Sequence, residues 1–127
     1  MSLIVQKFGG TSVGDIERIQ NVARRVVATK EAGHQVAVVV SAMAGETNHL
    51  VDLARAIGGE DPDPREYDAL VSTGEQKTIA LLSMAIQKLG HKAQSFTGVQ
   101  MGMYTDRSYT RARIERIDVA RLREVLD

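Results

Sequence analysis

The sequence predicts an α/β fold in which a mainly parallel sheet is sandwiched by helices. Two short apolar segments, residues 4–8 and 36–40, are separated by a stretch whose apolar residues recur at helical spacing. The second segment contains no polar residue, which is typical of a strand buried on both faces of a sheet. A strand, a helix and a strand in this order predict parallel pairing through a right-handed crossover.

The composition excludes several classes of function. The 127 residues suffice for one domain, and 43% of them are hydrophobic. The 16 basic and 16 acidic side chains cancel without a basic, aromatic-rich stretch, so neither nucleic acid nor a membrane surface is expected as a partner. The absence of cysteine excludes disulfides and thiolate metal sites. Since no signal peptide or membrane span is recognisable, we expect a cytoplasmic protein.

The first elements follow in order from the N-terminus. A strand over residues 4–8 leads into a glycine turn, and a helix begins at Asp15 and ends near Gly33, a residue typical of helix C-termini. The strand at 36–40 is followed by the small, polar segment SAMAGETN and a second helix, for which Thr47 or Asn48 would be the N-cap.

The remaining elements are less regular. Residues 58–64, with two prolines and three acids, predict a surface connection, and residues 65–89 predict a long helix that ends before Gly90. Residues 92–96 predict a third strand, 98–109 a loop and 112–117 a strand, with a final helix from Asp118. The strands are few for a complete sheet, so we expect the chain to be the first part of a larger domain.

The glycine turn after the first strand predicts a phosphate site. Glycines let the backbone approach an anion, Lys7 adds a positive charge, and the following helix points its N-terminus at the same place. The turn is not a P-loop, because Asp15 and Ile16 stand where that motif has Lys and Ser or Thr. It is not a dinucleotide fingerprint either, because Thr11 replaces the second glycine. The alternative is an ordinary glycine-rich turn with a solvated lysine.

Three segments resemble, in the same order, motifs of the aspartate kinases of the amino-acid kinase superfamily. They are KFGGTS at 7–12, SAMAGETN at 41–48 and STGEQ at 72–76, and the likeness extends to QSFTG at 94–98 and ARI at 112–114. The resemblance implies an amino-acid kinase fold over residues 1–127. A typical member is about three times as long as these 127 residues, so the rest of the kinase domain and the regulatory ACT domains would be absent.

The resemblance also implies a reaction. ATP with Mg²⁺ would give its γ-phosphoryl group to the side-chain carboxylate of L-aspartate, forming 4-phospho-L-aspartate for lysine, threonine and methionine synthesis, in a homo-oligomeric enzyme. A carboxylate with a pKa near ~4 is ionised at neutral pH, so this nucleophile needs no general base. Catalysis would come from positioning and from neutralisation of charge.

Site residues follow from the resemblance, and each has a structural alternative. The catalytic residue would be Lys7, against the transferring phosphate, and its alternative is a solvated lysine. The nucleotide would contact Lys7, Phe8, Gly9, Gly10 and Ser41, and the Ser41 hydroxyl could instead satisfy a turn amide.

Aspartate would contact Thr47, otherwise a helix cap, and Glu75, otherwise an exposed helix acid. Glu75 would hold the α-amino group, and the glycine before it would be a costly choice in a helix that nothing approaches. Arg113 could reach a substrate carboxylate or be a surface arginine. No metal ligands are assigned in the chain. The three histidines are expected to be exposed, and the methionines of the 98–109 loop to serve packing: His34, His49, His91, Met101 and Met103.

Two other functions remain open at this point. The chain could belong to a glutamate or nucleoside-monophosphate kinase of the same superfamily, although SAMAGETN and STGEQ argue against that. It could also be a catalytically silent module that associates with itself. We expect no kinase activity from the 127 residues alone.

Overall fold

A computed structural model describes all 127 residues and confirms the α/β class. The elements are β1 (Leu3–Phe8), α1 (Ile16–Glu31), β2 (Gln35–Val40), α2 (Glu46–Gly58), α3 (Pro64–Lys88), β3 (Met103–Thr105), β4 (Ile114–Ile117) and α4 (Ala120–Leu126). A 3₁₀ turn, Gly10–Val13, follows β1 and was not predicted. None of the helices combines the length and the hydrophobicity needed to cross a bilayer.

Strands β1 and β2 pair in parallel, as predicted. Their register runs from Leu3 opposite Gln35 to Phe8 opposite Val40, so both strands end at one edge of the sheet. The pairing continues for one bond beyond β2, where the Ser41 N–H donates to the Phe8 carbonyl oxygen at 3.2 Å. The glycine turn and the segment after β2 therefore leave the sheet side by side.

The core lies on one face of this two-stranded sheet. Every second side chain of β1 and β2 points toward α1 and α3, as strand alternation requires. Buried side chains from β1, the 3₁₀ turn, α1 and α3 form one cluster: Phe8, Val13, Ile19, Val22, Ala23, Val26, Val27, Leu82 and Ile86. Three valines of β2 pack against it: Val36, Val38 and Val40.

The prediction that β2 is buried on both faces is wrong. Leu3, Val5 and Val39 alternate with the core residues and are 51%, 63% and 51% exposed. The reason is that α1 and α3 pack on the same face. Helix α4 reaches only the start of β2, where the Gln35 side-chain amide donates to the Leu126 carbonyl oxygen at 3.3 Å.

Helices α1 and α3 have the predicted ends to within one or two residues. The Asp15 carboxylate accepts the Arg18 N–H at 2.8 Å and caps α1. Gly33, with φ +98°, follows the last turn of α1. The Asp63 carboxylate accepts the Glu66 N–H at 3.0 Å, which caps α3 just before Pro64.

The predicted N-cap of α2 is wrong. The cap is Gly45, whose φ of +79° lies in the left-handed region that favours glycine. This turn ends the loop two residues earlier than a Thr47 cap would, and three earlier than an Asn48 cap would. Both residues consequently lie in the first turn of α2, and neither side chain caps the helix.

The last third of the chain departs most from prediction. Residues 92–96 form no strand, because they find no partner strand beside β1 or β2. Instead the Gln87 side-chain amide donates to the Ala93 carbonyl oxygen at 3.0 Å. Met103–Thr105, inside the predicted loop, is strand β3 and pairs antiparallel with β4. The predicted strand at 112–117 is confirmed for its last four residues, Ile114–Ile117.

The loop of this hairpin is docked on α3. The Asp106 carboxylate accepts the Ser108 N–H at 2.9 Å and the Arg113 N–H at 3.3 Å, and these bonds lower its pKa. Thr110, with the unusual φ of +67°, donates its N–H to the Asp68 carboxylate at 2.7 Å. The hairpin therefore contacts the first turns of α3.

Candidate active site

A cleft of about 300 Å³ lies at the edge where β1 and β2 end. Its walls come from the glycine turn, the segment after β2, the first turn of α2 and the middle of α3. The lining residues are Gly10, Ser41, Ala42, Met43, Ala44, Gly45, Thr47, Asn48 and Glu75. The position agrees with the rule that ligands bind at the carboxyl ends of parallel strands.

Four of the predicted site residues meet in this cleft. They are Gly10, Ser41, Thr47 and Glu75, from four separate segments of the chain. Five further lining residues were not predicted as site residues: Ala42, Met43, Ala44, Gly45 and Asn48. All five lie within the SAMAGETN segment, which was the available signal.

The two turns beside the cleft present free backbone donors. The N–H groups of Gly9, Ala42, Met43, Ala44 and Gly45 donate to no acceptor within the chain. In the first turn of α2, the N–H groups of Thr47 and Asn48 are free as well, whereas the Glu46 N–H donates to the Met43 carbonyl oxygen at 3.0 Å. Clustered amides of this kind, at a helix N-terminus, are suited to bind an anion.

The hydroxyl groups at the cleft are also free. Ser41 uses its backbone N–H to reach Phe8, but its hydroxyl makes no hydrogen bond within the chain, so it does not satisfy a turn amide. Thr47 is exposed, and its hydroxyl caps nothing. The structural alternatives for both side chains are therefore wrong, and both can donate to a ligand.

Glu75 projects from α3 into the cleft with a half-buried side chain. Its carboxylate forms no ion pair within the chain. The glycine before it has a packing reason, since a Cβ at Gly74 would lie 3.1 Å from the Ala42 Cβ and 3.3 Å from the Leu50 Cδ1. The segment after β2 and helix α2 thus approach α3 closely at Gly74. The prediction that Glu75 binds a ligand therefore rests on its position in the cleft.

Lys7, Phe8 and Gly9 lie next to the cleft without lining it. Lys7 is exposed on the outer face of β1, opposite Val39, and forms no ion pair. The Phe8 ring is only 9% exposed in the core, with the Arg25 guanidinium 5.7 Å from its centroid. The ring therefore cannot contact a nucleotide, and only the Phe8 backbone faces the turn.

The remaining sequence candidates lie elsewhere. Arg113 belongs to the hairpin loop and does not line the cleft. The prediction that all three histidines are exposed is wrong for two of them. His34 is half-buried with an unpartnered Nδ1, and His91 Nε2 lies 3.1 Å from a Glu31 carboxylate oxygen. Met101 and Met103 are both half-buried, as expected of packing residues.

Comparison of the sequence with known proteins finds relatives whose names agree with one another. A model of the amino acid kinase family matches residues 2–127. An aspartate kinase of Pseudomonas fluorescens is 57% identical over 124 residues, which cover 97% of this chain and 30% of that protein. Aspartokinase 2 of Bacillus subtilis is 55% identical over 127 residues, or 100% of this chain and 31% of that protein. The chain thus spans about 30% of the length of these relatives.

Solved structures agree with the sequence relatives. Aspartate kinase from Synechocystis superposes with a TM-score of 0.76 at 57% identity, over 79% of this chain and 17% of that one. Escherichia coli aspartokinase III in complex with aspartate and ADP gives a TM-score of 0.72 at 27% identity, over 98% and 36% of the two chains. Motifs, fold and sequence therefore all confirm the resemblance to aspartate kinases, and this chain belongs to the amino acid kinase family.

Proposed function

We propose that this chain carries the aspartate-binding side and part of the phosphate-binding side of an aspartate kinase. The enzyme would transfer the γ-phosphoryl group of ATP to the side-chain carboxylate of L-aspartate and form 4-phospho-L-aspartate. The observation that carries the proposal is the meeting of Gly10, Ser41, Thr47 and Glu75 in one cleft. The names of the relatives, and the aspartate and ADP bound by the E. coli structure, support it.

The cleft suits an α-amino acid with a second carboxylate. The unpaired Glu75 carboxylate would hold the substrate ammonium, since an ion pair with hydrogen bonds is the strongest polar contact available there. The free Thr47 hydroxyl and the first-turn amides of α2 would hold carboxylate oxygens. One carboxylate beside several hydrogen-bond donors matches the one ammonium group and the two carboxylate groups of aspartate.

The glycine turn suits the phosphates. Gly9 has a φ of −76°, which any residue adopts, and a Cβ there would meet no atom within 4 Å. Neither backbone conformation nor internal packing therefore requires glycine at this position. A closely approaching ligand is the remaining reason, and the free Gly9 N–H would bind it. Lys7, the second-last residue of β1, would add a positive charge.

Phosphoryl transfer to aspartate requires few further groups from the chain. Aspartate is already ionised at neutral pH, so the chain needs to hold the two reacting groups in line and to offset charge in the transition state. Lys7 and the amides would supply the charge.

ATP would bring Mg²⁺, which neutralises phosphate oxygens when bound with it. The chain contains no group of three or more His, Cys, Asp or Glu side chains that could hold a metal ion.

The test uses a chimera in which these 127 residues replace the matching segment of B. subtilis aspartokinase 2, which aligns over the same 127 residues. We expect ADP release that depends on aspartate and does not occur with glutamate or UMP. Turnover with glutamate or UMP instead would identify another kinase of the superfamily. A soluble, folded chimera without any turnover would favour the silent module.

The proposal also includes the location, the pathway and the oligomeric state of the enzyme. The enzyme would act in the cytoplasm, in the biosynthesis of lysine, threonine and methionine. It would be a homo-oligomer, as the resemblance to aspartate kinases implies.

A further inference from the structure

Glu46 stands between two cleft residues and yet does not line the cleft. Gly45 before it and Thr47 after it both contribute to the walls. The Glu46 carboxylate instead turns toward α3, where its Oε2 lies 3.0 Å from the Lys77 Nζ. Its side chain is 24% exposed, against 45% for that of Lys77.

Two features of α3 hold Glu46 in this position. Gly74 has no side chain, and a Cβ built there would lie 3.4 Å from the Glu46 Cγ, so the aliphatic stem of Glu46 fills that space. Lys77 lies three residues further along α3, on the same side of the helix. The stem and the carboxylate of Glu46 are thus both accommodated by α3.

The position of this charge matters because of the free amides beside it. A carboxylate in the first turn of a helix is attracted to the N-terminal N–H groups. Those same groups are the ones an anionic ligand would use in the cleft. A Glu46 carboxylate turned into the cleft would occupy the donors and repel phosphate or aspartate oxygens.

We propose that Lys77 is a positioning residue that holds the Glu46 carboxylate out of the cleft and so keeps the amides of residues 42–45, 47 and 48 available for an anion. Lys77 itself does not touch the ligand. The assignment rests on the proposed function, because it takes the cleft to bind anionic substrates. Its effect is electrostatic, so the harm done by losing Lys77 depends on the presence of the Glu46 charge.

Kinetics of the chimera test this dependence. Lys77→Met should raise KM for aspartate and ATP about three- to tenfold and leave kcat within about twofold. Adding Glu46→Gln to that variant should return KM to near its original value, and Lys77→Arg should retain it. If Lys77 merely held α2 against α3, the double variant would be as impaired as Lys77→Met, which would overturn the proposal.

A matched control removes a lysine charge elsewhere. Lys92 is exposed and forms no ion pair, so Lys92→Met should leave both KM values unchanged. An equal rise of KM in Lys92→Met would show that the effect of Lys77 is one of overall charge, and would also count against the proposal.

A binding measurement separates this inference from the kinase assignment. Inorganic pyrophosphate is titrated into the 127-residue chain, and amide chemical shifts of residues 42–48 are followed by NMR. We expect weaker binding in Lys77→Met and recovery in the Glu46→Gln, Lys77→Met double variant, whether or not the chimera uses aspartate. An unchanged affinity in Lys77→Met, or no pyrophosphate binding by the unmodified chain, would refute the inference.

Discussion

Alternation along β1 decides what its last two side chains can do. Phe8 points into the core and contributes packing, whereas Lys7 points to the outer face, where it has no partner. The motif predicted both as nucleotide contacts, but strand geometry leaves only the lysine side chain available. A free cation at the strand end, next to the free Gly9 amide, is suited to meet a phosphate.

Removing the Lys7 cation should slow catalysis more than it weakens binding, because its charge is needed most when charge shifts in the transition state. In the chimera, Lys7→Ala should lower kcat by at least ~100-fold and leave KM for aspartate within a few-fold. Steady-state ADP release measures both, and Lys92→Ala is the matched control. Near-normal turnover of Lys7→Ala would refute the catalytic role.

Glu75 should act on aspartate rather than on ATP. Glu75→Gln keeps the shape of the side chain and removes its charge, so aspartate binding should weaken by about 1.5–3 kcal/mol, with little change for ATP. Equilibrium titration of the chimera with each substrate separates the two. Glu60→Gln, at an exposed position in the connection before α3, should change neither. Unaltered aspartate affinity in Glu75→Gln would reject the assignment.

Gln6 provides a test of the core that is independent of function. Its side-chain amide donates to the Thr29 hydroxyl at 2.8 Å, while its carbonyl oxygen is buried without a partner. Gln6→Met keeps the volume and should raise the free energy of unfolding by about 1 kcal/mol, because removing the unpaired buried oxygen gains about 1–3 kcal/mol and losing the bond to Thr29 costs about 0.5–1.5 kcal/mol. Urea denaturation measures the change, with exposed Gln20→Met as control. A loss of stability would show that the oxygen is satisfied in solution.

At the scale of elements, glycines set how closely α3, α2 and the loops approach. Gly74→Ala should lower the free energy of unfolding by about 1 kcal/mol, because overpacking against Ala42 and Leu50 outweighs the better helix propensity of alanine. Gly9→Ala is the contrasting variant. A Cβ there meets nothing, so stability should be retained while KM for ATP rises. Calorimetry and chimera kinetics check the pair, and the reverse pattern would contradict it.

Elements with a local signal were predictable from the sequence. Helical periodicity and caps placed α1 and α3 nearly to the residue, and apolar runs placed β1 and β2. The wrong predictions depended on information that is not local. Residues 92–96 have no partner strand in the fold, and β3 was hidden in a segment whose pairing with β4 requires the folded hairpin.

The candidate site was predictable as a set of motifs but not as a geometry. The motifs named Gly10, Ser41, Thr47 and Glu75, and the structure brings them together. The start of α2 was predicted too late, because Thr47 and Asn48 are residue types that commonly cap helices. The cap is instead Gly45, whose left-handed backbone conformation has no equally clear sequence signal. Glu46 was overlooked because its relation to Lys77 exists only once α2 packs on α3.

For the whole molecule, the outer face of the sheet is an exposed apolar surface. Leu3, Val5 and Val39 lie together there, and β1 and β2 each have an unpaired edge. The chain by itself should therefore associate with itself, as light scattering would show. Val5→Thr together with Val39→Thr should shift it toward monomer. A stable monomer of the unmodified chain would contradict this prediction.

The 127-residue chain alone should also be inactive. Phosphoryl transfer needs both substrates held in line, and this chain is proposed to carry the aspartate-binding side and only part of the phosphate-binding side. Coupled ADP release from the purified chain should stay at background with aspartate present. Aspartate-dependent release would contradict the expectation.

The parallel register also has a consequence for how the chain folds. Leu3 pairs with Gln35, 32 positions later, and this separation is constant along the ladder. The chain must lose the entropy of closing that loop before the first hydrogen bond between the strands forms, whereas α1 can form locally beforehand. The glycine turn and the Ser41–Gly45 turn are both attached to the same pair of strands. The two turns that flank the cleft should consequently form in one kinetic step. No folding intermediate should have only one of them in place.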